Sequence, residues 1–248
     1  MMRTGESELG TAAFSQVLVD AYEEYAPVVV AGSGVGGLAV LARVPATEPW
    51  AGMAIGTFRG DPMEVLVHDW LAAHGLGMDD VDVREVGSIA GALAAWESAE
   101  LDAMSLAEPF VGRLVAEGAH VATDGTDLWA EEYPDTVLVV SRGLLERNPG
   151  AVSAAISAMR DAERLIREDP AAAVAHAAHW YPGMSVTELV DALDRQPPKT
   201  DIRHLREVIL GRWSSVQSLG LVDADAPRPE GLVDFSLLSS LAPDHEMV

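Results

Sequence analysis

The sequence predicts an α/β fold whose C-terminal third is helical. Three observations predict it. As far as residue 141, short apolar runs of strand character alternate with helical patterns of roughly 8–13 residues, the signature of βαβ units and a largely parallel sheet. From Asn148 onward nearly every apolar pattern has helical period. Hydrophobic residues make up 49% of the 248 residues, enough to bury one large core or two smaller ones.

The first strand-like runs are residues 27–31 and 53–56, and Pro45, Thr47 and Pro49 between them break any helix and mark a crossing segment. After Asp61-Pro62, the residues Met63, Leu66, Val67, Trp70 and Leu71 follow the i, i+3, i+4, i+7, i+8 spacing of one helix face. Asp61 suits the N-cap and Pro62 the first helical position, while Gly75 and Gly77 end the helix. Residues 81–86 alternate as a strand, 90–98 read as a helix, 102–106 as a strand, 110–117 as a helix and 120–122 as a strand. One more apolar run covers 136–141. Asn148-Pro149, Asp169-Pro170 and the capping box Ser185-Val186-Thr187-Glu188 each start a helix. A last long helix is expected over 202–219, closed by Gly220.

Composition excludes several function classes. With 39 acidic against 16 basic residues the formal net charge is −23, a field that repels phosphate backbones and anionic lipid. Nucleic acid is therefore not an expected partner. The absence of cysteine removes disulfides, thiolate metal sites, cysteine nucleophiles and a lipid-modified cysteine anchor within these residues. No apolar run approaches the roughly 18–20 residues that span a bilayer. The first six residues show no export signal, so the chain as written reads as cytoplasmic.

Two strand-to-helix junctions carry the chemistry. Gly56-Thr57-Phe58-Arg59-Gly60-Asp61 leaves a strand and enters an amphipathic helix, where free backbone amides and the helix dipole favour an anion or a carbonyl oxygen. Thr57 adds a hydroxyl, Phe58 a ring and Arg59 a bidentate donor. Ser105-Leu106-Ala107-Glu108-Pro109-Phe110 is the second junction, with Glu108 placed to accept from a ligand amine or simply to favour a helix start. The two turns are expected to face one another across a closable gap. Trp129 and Tyr133 precede the 136–141 strand as covers for a cleft. Gly32-Ser33-Gly34-Val35-Gly36-Gly37 matches G-x-G-x-x-G after Val28-Val29-Val30, but a helix behind it has room only from Leu38 to about Arg43. A Gly-rich turn lining a cleft, with Ser33 and Gly34 toward the ligand, is the alternative to a nucleotide loop. His176 and His179 stand i, i+3 without a third ligand at a recognisable spacing, so no metal site is expected. No G-x-S-x-G, P-loop or H-E-x-x-H motif is present, and no cofactor is expected.

Three stretches in order carry a family resemblance. They are Trp50-Ala51-Gly52-Met53-Ala54-Ile55-Gly56-Thr57, then Glu100-Leu101-Asp102-Ala103 leading to Glu108-Pro109-Phe110, then Tyr133 to Ser141 with Arg147-Asn148-Pro149. Gly231-Leu232-Val233-Asp234-Phe235-Ser236 extends the likeness. The chain resembles the solute-binding proteins of ABC importers for nitrate, sulfonates, taurine and thiamine precursors. The resemblance implies a two-lobed type 2 periplasmic-binding-protein (Venus flytrap) fold that binds a small-molecule solute in the inter-lobe cleft and presents it to an importer permease. It further implies an extracytoplasmic location, no enzymatic activity and, by default, a monomer. One lobe is expected from residues 46–132 and the other from 1–45 with 133–248. Because the chain begins at Gly5-Glu6-Ser7-Glu8-Leu9-Gly10, near the family's G-E-x-D-x-G, the first strand–helix–strand of the discontinuous lobe is expected to be missing. Pyrimidine synthases of thiamine biosynthesis share this fold, but their chemistry is expected to need cysteines, and Lys199 is the sole lysine here. The competing reading is a cytoplasmic NAD- or FAD-binding enzyme that uses residues 32–37.

Overall fold

The structure is a computed structural model that describes residue 2 and residues 4–241. Its strands form two separate sheets. The smaller has the order β1-β8-β2, with β1 over Leu9–Ala13, β2 over Pro27–Gly32 and β8 over Thr136–Ser141. Both of its pairings are antiparallel. The larger has the order β5-β4-β6-β3-β7: β3 is Leu38–Ala42, β4 Ala54–Thr57, β5 Asp82–Glu85, β6 Ala103–Ala107 and β7 His120–Thr123. Here β4 runs parallel to both β5 and β6, whereas β3 pairs antiparallel with β6 and β7. The class is α/β as expected. The largely parallel sheet is not what forms: the βαβ units are confined to β4, β5 and β6.

β3 is the principal departure from the sequence reading. The stretch after Gly37, given there as the only room for a short helix, is instead an interior strand. All five of its residues are buried, and it is hydrogen-bonded on both sides. A run apolar on every face fits a strand covered on both sides better than a helix with a solvated face. Since β3 belongs to the five-stranded sheet, a lobe division after residue 45 would cut that sheet. The chain passes between the sheets within residues 33–37 and again within 124–135.

Helices cover the sheets as the periodicity predicts. α2 spans Pro62–Ala73, with Asp61 capping the Met63 amide and Leu66, Val67, Trp70 and Leu71 buried. Its Trp70 packs on Trp50 with ring centroids 4.1 Å apart, in the core beneath the five-stranded sheet. α3 (Ile89–Glu97) and α4 (Phe110–Ala116) complete that layer. On the three-stranded sheet lie α1 (Phe14–Val19), α5 (Arg142–Arg147), α6 (Pro149–Glu168) and α11 (Ser236–Leu241). α7 (Pro170–Ala177) packs on α6, and α8 (Val186–Arg195) packs on α7 and then on α4. These three helices therefore form an arm from the smaller sheet's layer to the larger one's. The helix expected over 202–219 is broken into α9 (Arg206–Gly211) and α10 (Trp213–Ser218). The break falls at Arg212, whose guanidinium is held by Asp69 of α2. No helix among the described residues is long and apolar enough to cross a membrane.

Candidate functional site

β4 and β6 are neighbours in parallel register, so both strand-to-helix junctions emerge at the same edge of one sheet. The Thr57 and Ser105 hydroxyls meet at 2.9 Å, both fully buried. The two turns are thus adjacent. They do not face each other across a gap, as the sequence reading expected, because parallel strands joined by helices bring successive C-terminal ends to one side.

Three amides at these turns are already engaged by side-chain carboxylates. Asp61 accepts from Met63 N at 3.0 Å, and Glu64 accepts from Gly60 N at 2.7 Å. Glu108 accepts from Gly112 N at 3.2 Å. Each helix start therefore carries the protein's own carboxylate where an anionic ligand was anticipated. Arg59 is exposed and lies 3.9 Å from Glu64, while Phe58 is half-buried between the two cores of the larger sheet. Gly56 is a packing glycine: a Cβ there would lie 2.6 Å from a Leu101 methyl.

What faces these turns comes from the smaller sheet's side. Ser15, at the start of α1, donates to Gly60 O at 2.9 Å. Arg195, at the end of α8, forms a two-point ion pair with Glu108, through Nε to Oε1 and through Nη2 to Oε2 at 3.3 Å. The Glu108 side chain is almost wholly buried and holds the Arg195 guanidinium more firmly protonated. Gln196 donates to Asp135 at 2.8 Å. Burial, then the charge of Asp61, pushes the Asp135 carboxyl up to about 7. Burial also raises Asp61, with Glu64 adding to it. Sequence reasoning missed Arg195, Gln196 and Asp135, because only the tertiary fold brings them to Glu108 and the glycine turn.

The glycines of that turn have a structural explanation. A Cβ on Gly32 would lie 2.5 Å from Lys199 O, and one on Gly37, where φ is +80°, would lie 2.6 Å from the Gln196 side chain. The motif lets the segment after α8 lie against the passage between the sheets. Because a strand follows it, no helix N-terminus is available for a pyrophosphate, and the nucleotide-loop reading fails on geometry. Ser33 is hydrogen-bonded to Thr136, and Gly34 is buried against Pro197 O.

Beside the turn lies an open cavity of about 470 Å3. Gly36, Gly37 and Leu38 contribute to its floor, Val111 and Gly112 of α4 to one wall, and Arg195 and Pro197 to another. Of the residues singled out from the sequence, Gly36, Gly37, Glu108 and Tyr133 border it; Ser33, Gly34, Thr57, Ser105 and Asp61 do not. Tyr133 is fully buried, its hydroxyl bonded to Asp124 O and to Leu38 N, so it supports the cavity and is no mobile cover. Burial raises its phenol further. A second cavity, of about 600 Å3, runs along β1 away from these residues.

Outside the cavity, Asp69 joins three elements. It accepts from His68 Nδ1, Trp129 Nε1 and Arg212 Nη1, each at 2.8 Å, and His68 Nε2 meets Ser218 Oγ at 2.9 Å. Burial opposes ionisation of Asp69, but the bonds from His68, Ser215 and Trp129 and the charge of Arg212 outweigh it and hold the carboxyl low. Trp129 is thereby fixed against Phe14 and Tyr133. No group of three metal-ligating side chains occurs among the described residues.

The fold is shared with solved solute-binding proteins. The aliphatic sulphonate binding protein SsuA of Escherichia coli superposes with a TM-score of 0.77 at 18% identity, over 93% of this chain and 81% of that one. The nitrate-binding protein NrtA of Synechocystis PCC 6803 gives 0.74 at 14%, over 95% and 74%. The desulfurization enzyme DSZB gives 0.63 at 19%, over 97% and 87%. The architecture is thus that of the two-lobed periplasmic binding proteins. Comparison with curated proteins gives no sequence match. The model of the NMT1-like family matches residues 16–181, more than half of the sequence, and the chain belongs to that family.

Proposed function

We propose that this chain is the solute-binding component of an ABC import system, holding one small molecule between its two lobes and transforming nothing. The observation that carries the reading is the open cavity of about 470 Å3 beside the Glu108–Arg195 pair. Its walls come from the larger sheet's layer, from the passage between the sheets and from the end of the helical arm. A volume of that size suits a metabolite. Walls drawn from separate bodies allow a solute to bias the population of closed molecules, the form a permease would read. Membership of the NMT1-like family and the fold shared with SsuA and NrtA support the same reading. In this role the chain works outside the cytoplasm, as a monomer that docks transiently on its permease. Glu108 and Tyr133 border the solute, while Thr57 and Ser105 brace the strand ends behind it.

A thermal-shift screen of small solutes tests this, because a ligand of the native state raises Tm by mass action. A saturable increase for at least one solute, abolished by filling the cavity from its exposed margin with Val115→Trp, is expected. If no solute class moves Tm, the binding role is wrong.

A further inference from the structure

We infer that the solute this cavity takes is an organic cation, an amine on a compact apolar body, and not an anion such as a sulfonate or nitrate; the inference rests on the solute-binding reading above.

The apolar part follows from the walls. Leu38 and Val111 are buried beneath the cavity, while Val115 and Val121 at its margin are 41% and 45% exposed. Exposed valines on adjoining elements, gathered at one concavity, offer apolar area to a ligand of matching shape.

The charge follows from the rim. Carboxylates of Glu108, Asp124, Glu131 and Glu132 line the cavity against a single cation, Arg195. That guanidinium is committed to Glu108 by two of its nitrogens. Lys199 and His204 are both committed to the lining residue Glu132. At the nearby helix starts the amides of Gly112, Met63 and Gly60 are committed to Glu108, Asp61 and Glu64. An anion entering here meets four carboxylates and, of the one cation, only the Nη1 that Glu108 leaves free. The Glu131 side chain, by contrast, has no hydrogen-bond or ion-pair partner among the described residues, and the Asp124 carboxylate accepts only from Thr126 and has no ion-pair partner there. An ammonium group would find both acceptors, with the chain's net charge of −23 drawing it in.

The test uses matched probes on the full chain: benzylamine, benzyl alcohol and benzenesulfonate, then cyclohexylamine, cyclohexanol and cyclohexanesulfonate, with sodium nitrate alongside. Tm shifts and titration calorimetry are read at low and moderate salt. The amines are expected to raise Tm and to bind at least ten-fold more tightly than the matched alcohols, with affinity falling as salt rises. The double variant D124N/E131Q is expected to lose most of that preference while keeping the unliganded Tm within a few degrees. Stabilisation by the sulfonates or nitrate and not by the amines would overturn the cation inference and leave the solute-binding role standing. Equal binding of amine and alcohol would overturn it too. Silence from every probe would overturn the cation inference too, and the wider solute screen above then decides the binding role by itself.

Discussion

Asp135 shows how one residue's surroundings reach the whole molecule's stability. Its folded carboxyl titrates near 7 against an ordinary value of 3.8, with burial as the larger cause and Asp61 the second. Between those values the folded chain holds a proton that the unfolded chain has released. Asp135 therefore contributes stability below about pH 4, and that contribution is lost progressively as pH rises to about 7. Asp135→Asn keeps a partner for Gln196 and removes the titration. Denaturant unfolding at pH 5 and pH 8 is expected to show wild type losing more stability than the variant over that interval. Equal losses would refute the assignment. Gly37 belongs to the same scale: its positive φ and its contact with Gln196 leave no room for a side chain, and neither is written in a G-x-G-x-x-G string.

At the scale of elements, the helical arm matters most. The capping residues that start α6, α7 and α8 are plain in the sequence, and each cap forms as expected. Nothing in the sequence says that α8 ends against α4. That contact arises because Gly112 has no Cβ: one there would lie 2.0 Å from Arg195 Nη2. Arg195→Ala leaves the buried Glu108 without its cation and is expected to cost about 1–3 kcal/mol, the scale for an unpaired buried polar or charged group. Chemical denaturation measures it. Because the pair ties the arm to the larger sheet's layer, the same variant is expected to weaken solute binding, and titration calorimetry reads that separately. A variant as stable as wild type would show that the pair does not hold the lobes.

For the whole molecule, Asp69 is the joint. It binds α2 of one layer, the passage that carries Trp129, and the break between α9 and α10 of the other. Asp69→Ala would strand the Trp129 N–H and the Arg212 guanidinium in a largely buried place. It is expected to destabilise the protein by about 2–4 kcal/mol, the range for removing one partner of a buried charged network. Tryptophan fluorescence and far-UV circular dichroism should still report a single transition at a lower Tm. Two separated transitions would mean that the layers unfold independently and that Asp69 does not couple them.

Much of the architecture was decided locally and could be read locally. Turn glycines, helix caps and a period of 3.6 or 2 placed α2, α3, α6 and the strands β6 and β8, because these signals act within a few residues of one another. The class and the helical C-terminal third came from the same source. Only the tertiary structure turned Leu38–Ala42 into an interior strand, set β4 and β6 side by side, and brought Arg195 to Glu108 and Gln196 to Asp135. Those outcomes depend on partners 48 to 87 residues apart. A buried apolar run carries no period, and a carboxylate's role depends on which cation the fold delivers to it.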